Sequence, residues 1–186
     1  MTDMATVLAL SSSPSRSSRS AAVAEYAVTA LRSGGVDANH LRLRELDPGP
    51  LLAADTTHPE IESAVRAVAD ADGILLATPT YKAAYSGLLK VFLDLLSQFA
   101  FAGKAVLPIA TGGSPAHVLS LDYGLRPVVH SLGAWHVLQS LFVLDSQLDE
   151  ALRPGEQLRS TLEGVLGDFT HALRTPSRTA TIARSA

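Results

Sequence analysis

Apolar runs alternate with segments of helical period along almost the whole chain. Residues 6–11, TVLALS, form a short apolar run that breaks into SSSPSRSSRS. Residues 21–35, AAVAEYAVTALRSGG, then place apolar side chains at helical spacing until two glycines stop them. This predicts strand, loop and helix. The pattern repeats, with strand-like alternation over 36–46 and a helical period over 60–72. GILLATP at 73–79 and KAVLPIATG at 104–112 are continuous apolar runs, as expected of strands buried on both faces of a parallel sheet. A helix is expected over 84–98, a mainly helical stretch over 115–133, a fifth strand over 135–145 and an amphipathic helix over 155–174. The remaining residues, TPSRTATIARSA at 175–186, are polar and β-branched and are expected to be disordered.

Five strands alternating with helices predict an α/β fold: a doubly wound five-stranded parallel sheet with helices on both faces and right-handed crossovers. No repeat or linker divides the sequence, and 186 residues suit one domain, expected over 1–174. The common five-strand order is 2-1-3-4-5, flavodoxin-like, with its switch point between strands 1 and 3. Ligands bind there, outside the carboxyl ends of the strands. The two segments at those ends are SSSPSRSSRS and TPTYKAAYSG, so the two least ordinary loops are expected side by side.

Composition narrows the classes of partner. A formal charge of -3 and 15 scattered lysines and arginines leave no footprint for nucleic acid. The absence of cysteine excludes disulfides and thiol redox chemistry and fits a reducing cytoplasm. The first residues lack a basic secretory n-region, and no apolar stretch approaches the roughly 20 residues that span a bilayer. A soluble cytoplasmic protein is expected. His40, His58, His130, His136 and His171 are dispersed without metal-ligand spacing, so no metal is expected.

The serine-rich loop supplies hydroxyls, two arginines and backbone N–H groups at a helix start, which together suit a phosphate. Its alternative is a flexible loop with a helix cap at Ser17 or Ser18. It has neither the glycine-lysine ending of a Walker loop nor a G-x-G-x-x-G turn. TPTYKAAYSG offers backbone amides and two tyrosines, a wall for a flat heteroaromatic ring; alternatively Tyr85 packs against a neighbouring subunit. ATGGSP at 110–115 brings two glycines that allow close backbone approach, or simply turns the chain. Together these describe a mononucleotide site, and FMN fits a sheet of this order. Lys82 reads as a contact for a pyridine nucleotide or as a solvated lysine, and His117 as a ring contact or a structural residue.

The stretches SRS at 18–20, ADGILLATPTYKAAYSGLLKVFLDLL at 71–96, GKAVLPIATGGSPAHVLSLDYGLRPVV at 103–129 and DSQ at 145–147 resemble the NAD(P)H-dependent FMN reductases of two-component alkanesulfonate monooxygenase systems. These are flavodoxin-like flavin reductases. The resemblance implies that Ser13, Ser18, Arg19 and Ser20 hold the FMN phosphate. It further implies that Pro79, Thr80, Tyr81, Ser86, Thr111, Gly112 and Gly113 surround the flavin ring. It places Tyr123 at an inserted position that makes a π-bulge at a tetramer interface near the flavin. Without the resemblance, Tyr123 reads as a half-buried helix residue and Pro127 as a kink. Where the family commonly has glycine before the first Ser-Pro and arginine after it, this chain has Ser12 and Ser15, with Arg16 as a substitute cation.

The implied reaction passes hydride from NAD(P)H to FMN at flavin N5, with no acid-base residue, and yields reduced flavin for a flavin-dependent monooxygenase. A homotetramer or homodimer is implied as well. Rival readings are an electron carrier with permanently held FMN, an FMN-dependent quinone or azo reductase, and a phosphoacceptor regulator. The last would need an acidic cluster after strand 1, where serines stand.

Overall fold

A computed structural model of the chain describes residues 4–134 and 136–174. Trp135, the expected start of the fifth strand, and the expected disordered tail at 175–186 lie outside the described residues. In chain order the elements are β1 (Thr6–Ser11), α1 (Arg19–Ser33), β2 (Asp37–Arg42), α2 (Pro48–Leu52), α3 (Pro59–Asp70), β3 (Gly73–Tyr81) and β4 (Ala84–Tyr85). They continue with α4 (Gly87–Leu93), β5 (Ala105–Gly112), α5 (Arg126–Ser131), β6 (His136–Val137), β7 (Leu141–Leu144) and α6 (Glu156–Arg174).

The sheet runs β2-β1-β3-β5-β6, with β4 added antiparallel to β3 and β7 also paired to β5. All other pairings are parallel. Alternation sorts the side chains. Leu8, Leu10, Ile74 and Leu76 pack with α3, α4 and α5 on one face, and Val7, Ala9, Leu75 and Ala77 with α1 and α6 on the other. Fully burying one such Leu or Ile contributes roughly 1.5–3 kcal/mol. The central strands therefore form a stiff platform for the loops at their carboxyl ends.

The expected doubly wound α/β architecture is present, and the expected count of five strands is corrected to seven. One addition comes from the chain reversing at Lys82 and Ala83, whose φ angles are 51° and 60°. Two successive positive φ values make a tight hairpin turn, pairing Tyr81 with Ala84 and Thr80 with Tyr85. The helix expected over 84–98 is accordingly β4 followed by the shorter α4. The other addition comes from a break in the last strand. Arg126 donates to the carbonyls of Val137 (3.3 Å) and Leu138 (3.0 Å) and to Ser140 Oγ (3.2 Å), which satisfies backbone that the ladder leaves unpaired. β6 and β7 lie on either side of that clamp.

One helix was not expected. In α2 the Asp47 carboxylate accepts the Gly49 N–H at 2.9 Å, and the prolines stand at its start, where a missing N–H costs nothing. Among the described residues no helix is long and apolar enough to cross a membrane.

Candidate functional site

The register pairs Ser11 of β1 with Ala77 of β3, so the loops after these strands leave the sheet side by side. Ser12 carries the pairing one step further, donating its N–H to the Ala77 carbonyl at 3.1 Å. Beyond it the loops are joined by hydroxyls. Ser86 Oγ lies 2.8 Å from the Ser12 carbonyl and 2.9 Å from Ser12 Oγ, and it accepts the Leu89 N–H at 3.2 Å as the cap of α4. Thr78 Oγ1 accepts the Ser86 N–H at 2.9 Å. Ser12, Thr78 and Ser86 are all buried, and each such bond contributes roughly 0.5–1.5 kcal/mol net. Ser86 is thus a residue that fixes the frame, its hydroxyl already committed.

Ser18 caps α1, accepting the Ala21 N–H at 3.0 Å, which decides between the two expected cap positions. Its Oγ also lies 3.1 Å from Ser20 Oγ. Ser13 is buried, accepts the Ser15 N–H at 3.2 Å and stands 3.5 Å from the Tyr81 hydroxyl. Arg19 opens α1 with its side chain half exposed, its Nε 3.6 Å from Asp145 Oδ1. Arg16 is exposed. Serine hydroxyls, a guanidinium and a helix N-terminus converge here, all favouring an anion.

On the β3 side Pro79 pairs with Thr111 of β5, and the Thr80 hydroxyl is buried without a hydrogen-bond partner. An unsatisfied buried hydroxyl costs about 1–3 kcal/mol, and a polar-edged planar ring such as a flavin would offer it a partner. Tyr81 is 47% exposed and faces the serine loop. Tyr85 is half-buried, joins the core cluster on the α4 face and lies within 4 Å of the position a Cβ would take on Gly124. The two tyrosines therefore face different walls. Thr111 is buried at the end of β5. At Gly112 a Cβ would come within 2.9 Å of the Phe142 ring and 3.4 Å of Thr80 Cβ, so packing between strands accounts for that glycine. At Gly113 the nearest atom is Asp145 Oδ2 at 3.7 Å, which leaves room for close approach.

The third wall is a single π turn, Leu121–Leu125, in which Arg126 N–H bonds to the Leu121 carbonyl five residues back. Pro127 follows and, lacking an N–H, cannot restore the regular ladder. Tyr123 is 78% exposed on this turn, which corrects the half-buried alternative. A cavity of about 370 Å³ is lined by Ala83, His117, Leu119, Ser120, Tyr123 and Gly124, while Lys82 stands exposed at the hairpin tip. Among the described residues no group of three His, Asp or Glu gathers as metal ligands do.

Two features at the site edge had no assigned role in the sequence. His40 Nδ1 lies 2.8 Å from Glu25 Oε2, and its Nε2 lies 2.8 Å from Ser11 Oγ. A carboxylate only accepts, so Nδ1 carries the proton and Ser11 donates to Nε2. Burial pushes the His40 pKa down, outweighing Glu25; the bond from His40 holds the Glu25 carboxyl below its usual value. Ser11, His40 and Glu25 have the connectivity of a hydrolytic triad, yet Ser11 is 3% exposed and no substrate reaches it. The row anchors the carboxyl end of β1. The other feature is Asp145 beside Arg19. Their sequence separation hides the contact, though DSQ is one of the stretches that carry the resemblance.

The family profile described as NADPH-dependent FMN reductase matches residues 5–149. The FMN reductase (NADPH) of Escherichia coli is 42% identical over 170 residues, covering 90% of this chain and 89% of that protein. A second FMN reductase (NADPH), from Pseudomonas putida, is 43% identical over 164 residues, covering 87% and 83%. The crystal structure of an NADH:FMN oxidoreductase (EMOB) in its apo form is similar at a TM-score of 0.87 and 44% identity, covering 98% of this chain and 100% of that one.

Proposed function

The chain belongs to the NADPH-dependent FMN reductase family and is an NAD(P)H:FMN oxidoreductase, and from this we propose which residues carry the reaction and where its product goes. Ser13, Ser18, Arg19 and Ser20 hold the FMN phosphate at the start of α1. Pro79, Thr80, Tyr81, Thr111, Gly112 and Gly113 border the flavin ring, with Ser86 fixing their frame. The observation that carries this reading is the adjacency of an anion-favouring serine loop and a buried hydroxyl without a partner, Thr80 Oγ1.

Hydride transfer from nicotinamide to flavin N5 is chemistry the bound cofactors supply. The protein's part is to hold phosphate and ring in one orientation and shield them from water. No general acid or base is needed, which agrees with a site of hydroxyls and backbone. The nicotinamide enters along the wall of the hairpin and π turn, beside His117 and Tyr123. The relatives' names differ in their nucleotide, NADPH in two and NADH in one, so both nucleotides are substrates to compare.

Reduced FMN leaves for a partner flavin-dependent monooxygenase, of the sulfonate-oxidising kind that the shared stretches suggest. Tyr123, Leu119 and Val118, all exposed, cover themselves in a homotetramer or homodimer. The test is steady-state oxidation of NADPH and NADH against added FMN. A rate that rises and saturates with FMN supports the reading. A rate indifferent to FMN, or protein that purifies with stoichiometric flavin and no turnover, sinks it.

A further inference from the structure

Within DSQ the role of Gln147 is local, since its side-chain oxygen accepts the Leu144 N–H at 2.8 Å and closes the turn. Asp145 instead points across the site. Its Oδ1 meets Arg19 Nε at 3.6 Å, and its Oδ2 lies 3.7 Å from where Gly113 would carry a Cβ. One carboxylate thus spans the opening between the serine loop and the glycine loop.

We propose that Asp145 is a release residue: it holds Arg19 while the site is free, competes with the flavin phosphate for it, and so keeps FMN an exchangeable substrate. This rests on the placement of the phosphate at Arg19. The contact is single and long, not the paired fork that a guanidinium makes with a tightly held carboxylate. The two side chains are 48% and 35% exposed, so the pair opens without unburying anything. An ion pair this exposed contributes little to folding, which leaves its placement at the phosphate end as what needs explaining.

A phosphate monoester carries about 1.5–2 negative charges at neutral pH and outbids one carboxylate for the guanidinium. After the exchange Asp145 remains beside the dianion and repels it. Binding is therefore weaker, and departure faster, than the loop's hydroxyls and helix N-terminus would give alone. Riboflavin, which has the ring without the phosphate, is blind to this competition.

The experiment measures dissociation constants for FMN and riboflavin by flavin fluorescence, and FMN dissociation rates, in the wild type, Asp145→Asn, Arg19→Ala and the double variant. Thermal unfolding confirms that each is folded. Asp145→Asn is expected to bind FMN roughly three- to tenfold tighter, the scale of one charge interaction at a half-exposed site. FMN should leave more slowly by a similar factor, while riboflavin binding stays within about twofold, the scatter expected of a neutral exposed change. With Arg19 already removed, the gain should shrink to the remaining repulsion between anions. Unchanged or weaker FMN binding in Asp145→Asn overturns the proposal, as does equal tightening of riboflavin. If Arg19→Ala leaves FMN binding unchanged, the phosphate placement itself falls. If Arg19→Ala weakens FMN and Asp145→Asn does not tighten it, the release role alone falls.

Discussion

On the β1–β3 side of the site, Ser12, Thr78 and Ser86 are buried and bonded to one another; on the side formed by residues 113–125, Tyr123, Leu119 and Val118 stand 78%, 57% and 46% exposed around a π turn. The first side is polar inside and closed, and its one unsatisfied hydroxyl, Thr80 Oγ1, stands out because its neighbours are satisfied. The second is apolar and open, with no cover from the other described residues. A closed polar seam fixes where a ligand sits, because moving it would strand several buried groups. An open apolar wall can shift at little cost, which suits the side proposed above for entry of the second substrate. Stability should therefore depend on the first side far more than on the second.

The largest effect is expected from Ser86→Ala. It removes the cap of α4 and leaves the Ser12 carbonyl and hydroxyl short of a partner, at a cost of about 2–3 kcal/mol. For a chain of this size the midpoint of thermal unfolding should fall by roughly 4–12 °C. A fall under about 2 °C would mean that water replaces the hydroxyl and the seam is not closed. Thr80→Val sharpens the same point with opposite signs. Loss of an unsatisfied hydroxyl should leave the free protein as stable or more stable by up to about 1 kcal/mol. FMN binding should nevertheless weaken roughly three- to tenfold, the scale of one lost hydrogen bond. Chemical denaturation and flavin titration read the two effects separately; equal losses in both would make Thr80 merely structural.

A smaller effect tests whether the seam extends to β2. His40 has its pKa lowered by burial, with Arg42 adding to that and Glu25 opposing it. The folded protein therefore resists a proton that the unfolded chain takes up near pH 6.5. Between these two values the unfolded state binds more protons, so stability is complete above about pH 6.5 and is lost as pH falls towards the folded value. His40→Gln should flatten the unfolding midpoint against pH between about 7 and 5. An unaltered slope would show that other groups set it.

The contrast also explains how much could be read in advance. The strands over 6–11, 73–79 and 104–112 stand out because both faces of each are buried, and the serine loop could be placed because its cap and its hydroxyls are local. The hairpin was hidden because Lys82 and Ala83 take positive φ without a glycine or asparagine to announce it. The break between β6 and β7 depends on Arg126, 11 and 12 residues away from the carbonyls it takes. Ser11–His40 and Arg19–Asp145 are likewise side-chain meetings made by the sheet order, with no sequence period to betray them. Gly112 carries two constraints at once: its motif suggests close approach of a ligand, and Phe142 and Thr80 already leave no room for a Cβ there.

The smallest effect on folding is expected where the open wall is most exposed. Tyr123 projects from the π turn with 78% of its surface accessible. Truncation there removes little buried area, and exposed substitutions of this kind change stability by about 0.5 kcal/mol or less. Tyr123→Ala should therefore unfold within about 2 °C of the wild type at protein concentrations low enough to keep the chain dissociated. Sedimentation at higher concentration should show a smaller assembly if the aromatic ring is covered by a second copy. The turn itself should survive, because Pro127 and the Arg126–Leu121 bond set its register without the tyrosine ring. A loss of several degrees in the dissociated protein would show that the open wall is stabilised by its own side chains, and the division between a rigid polar side and an adaptable apolar one would not hold.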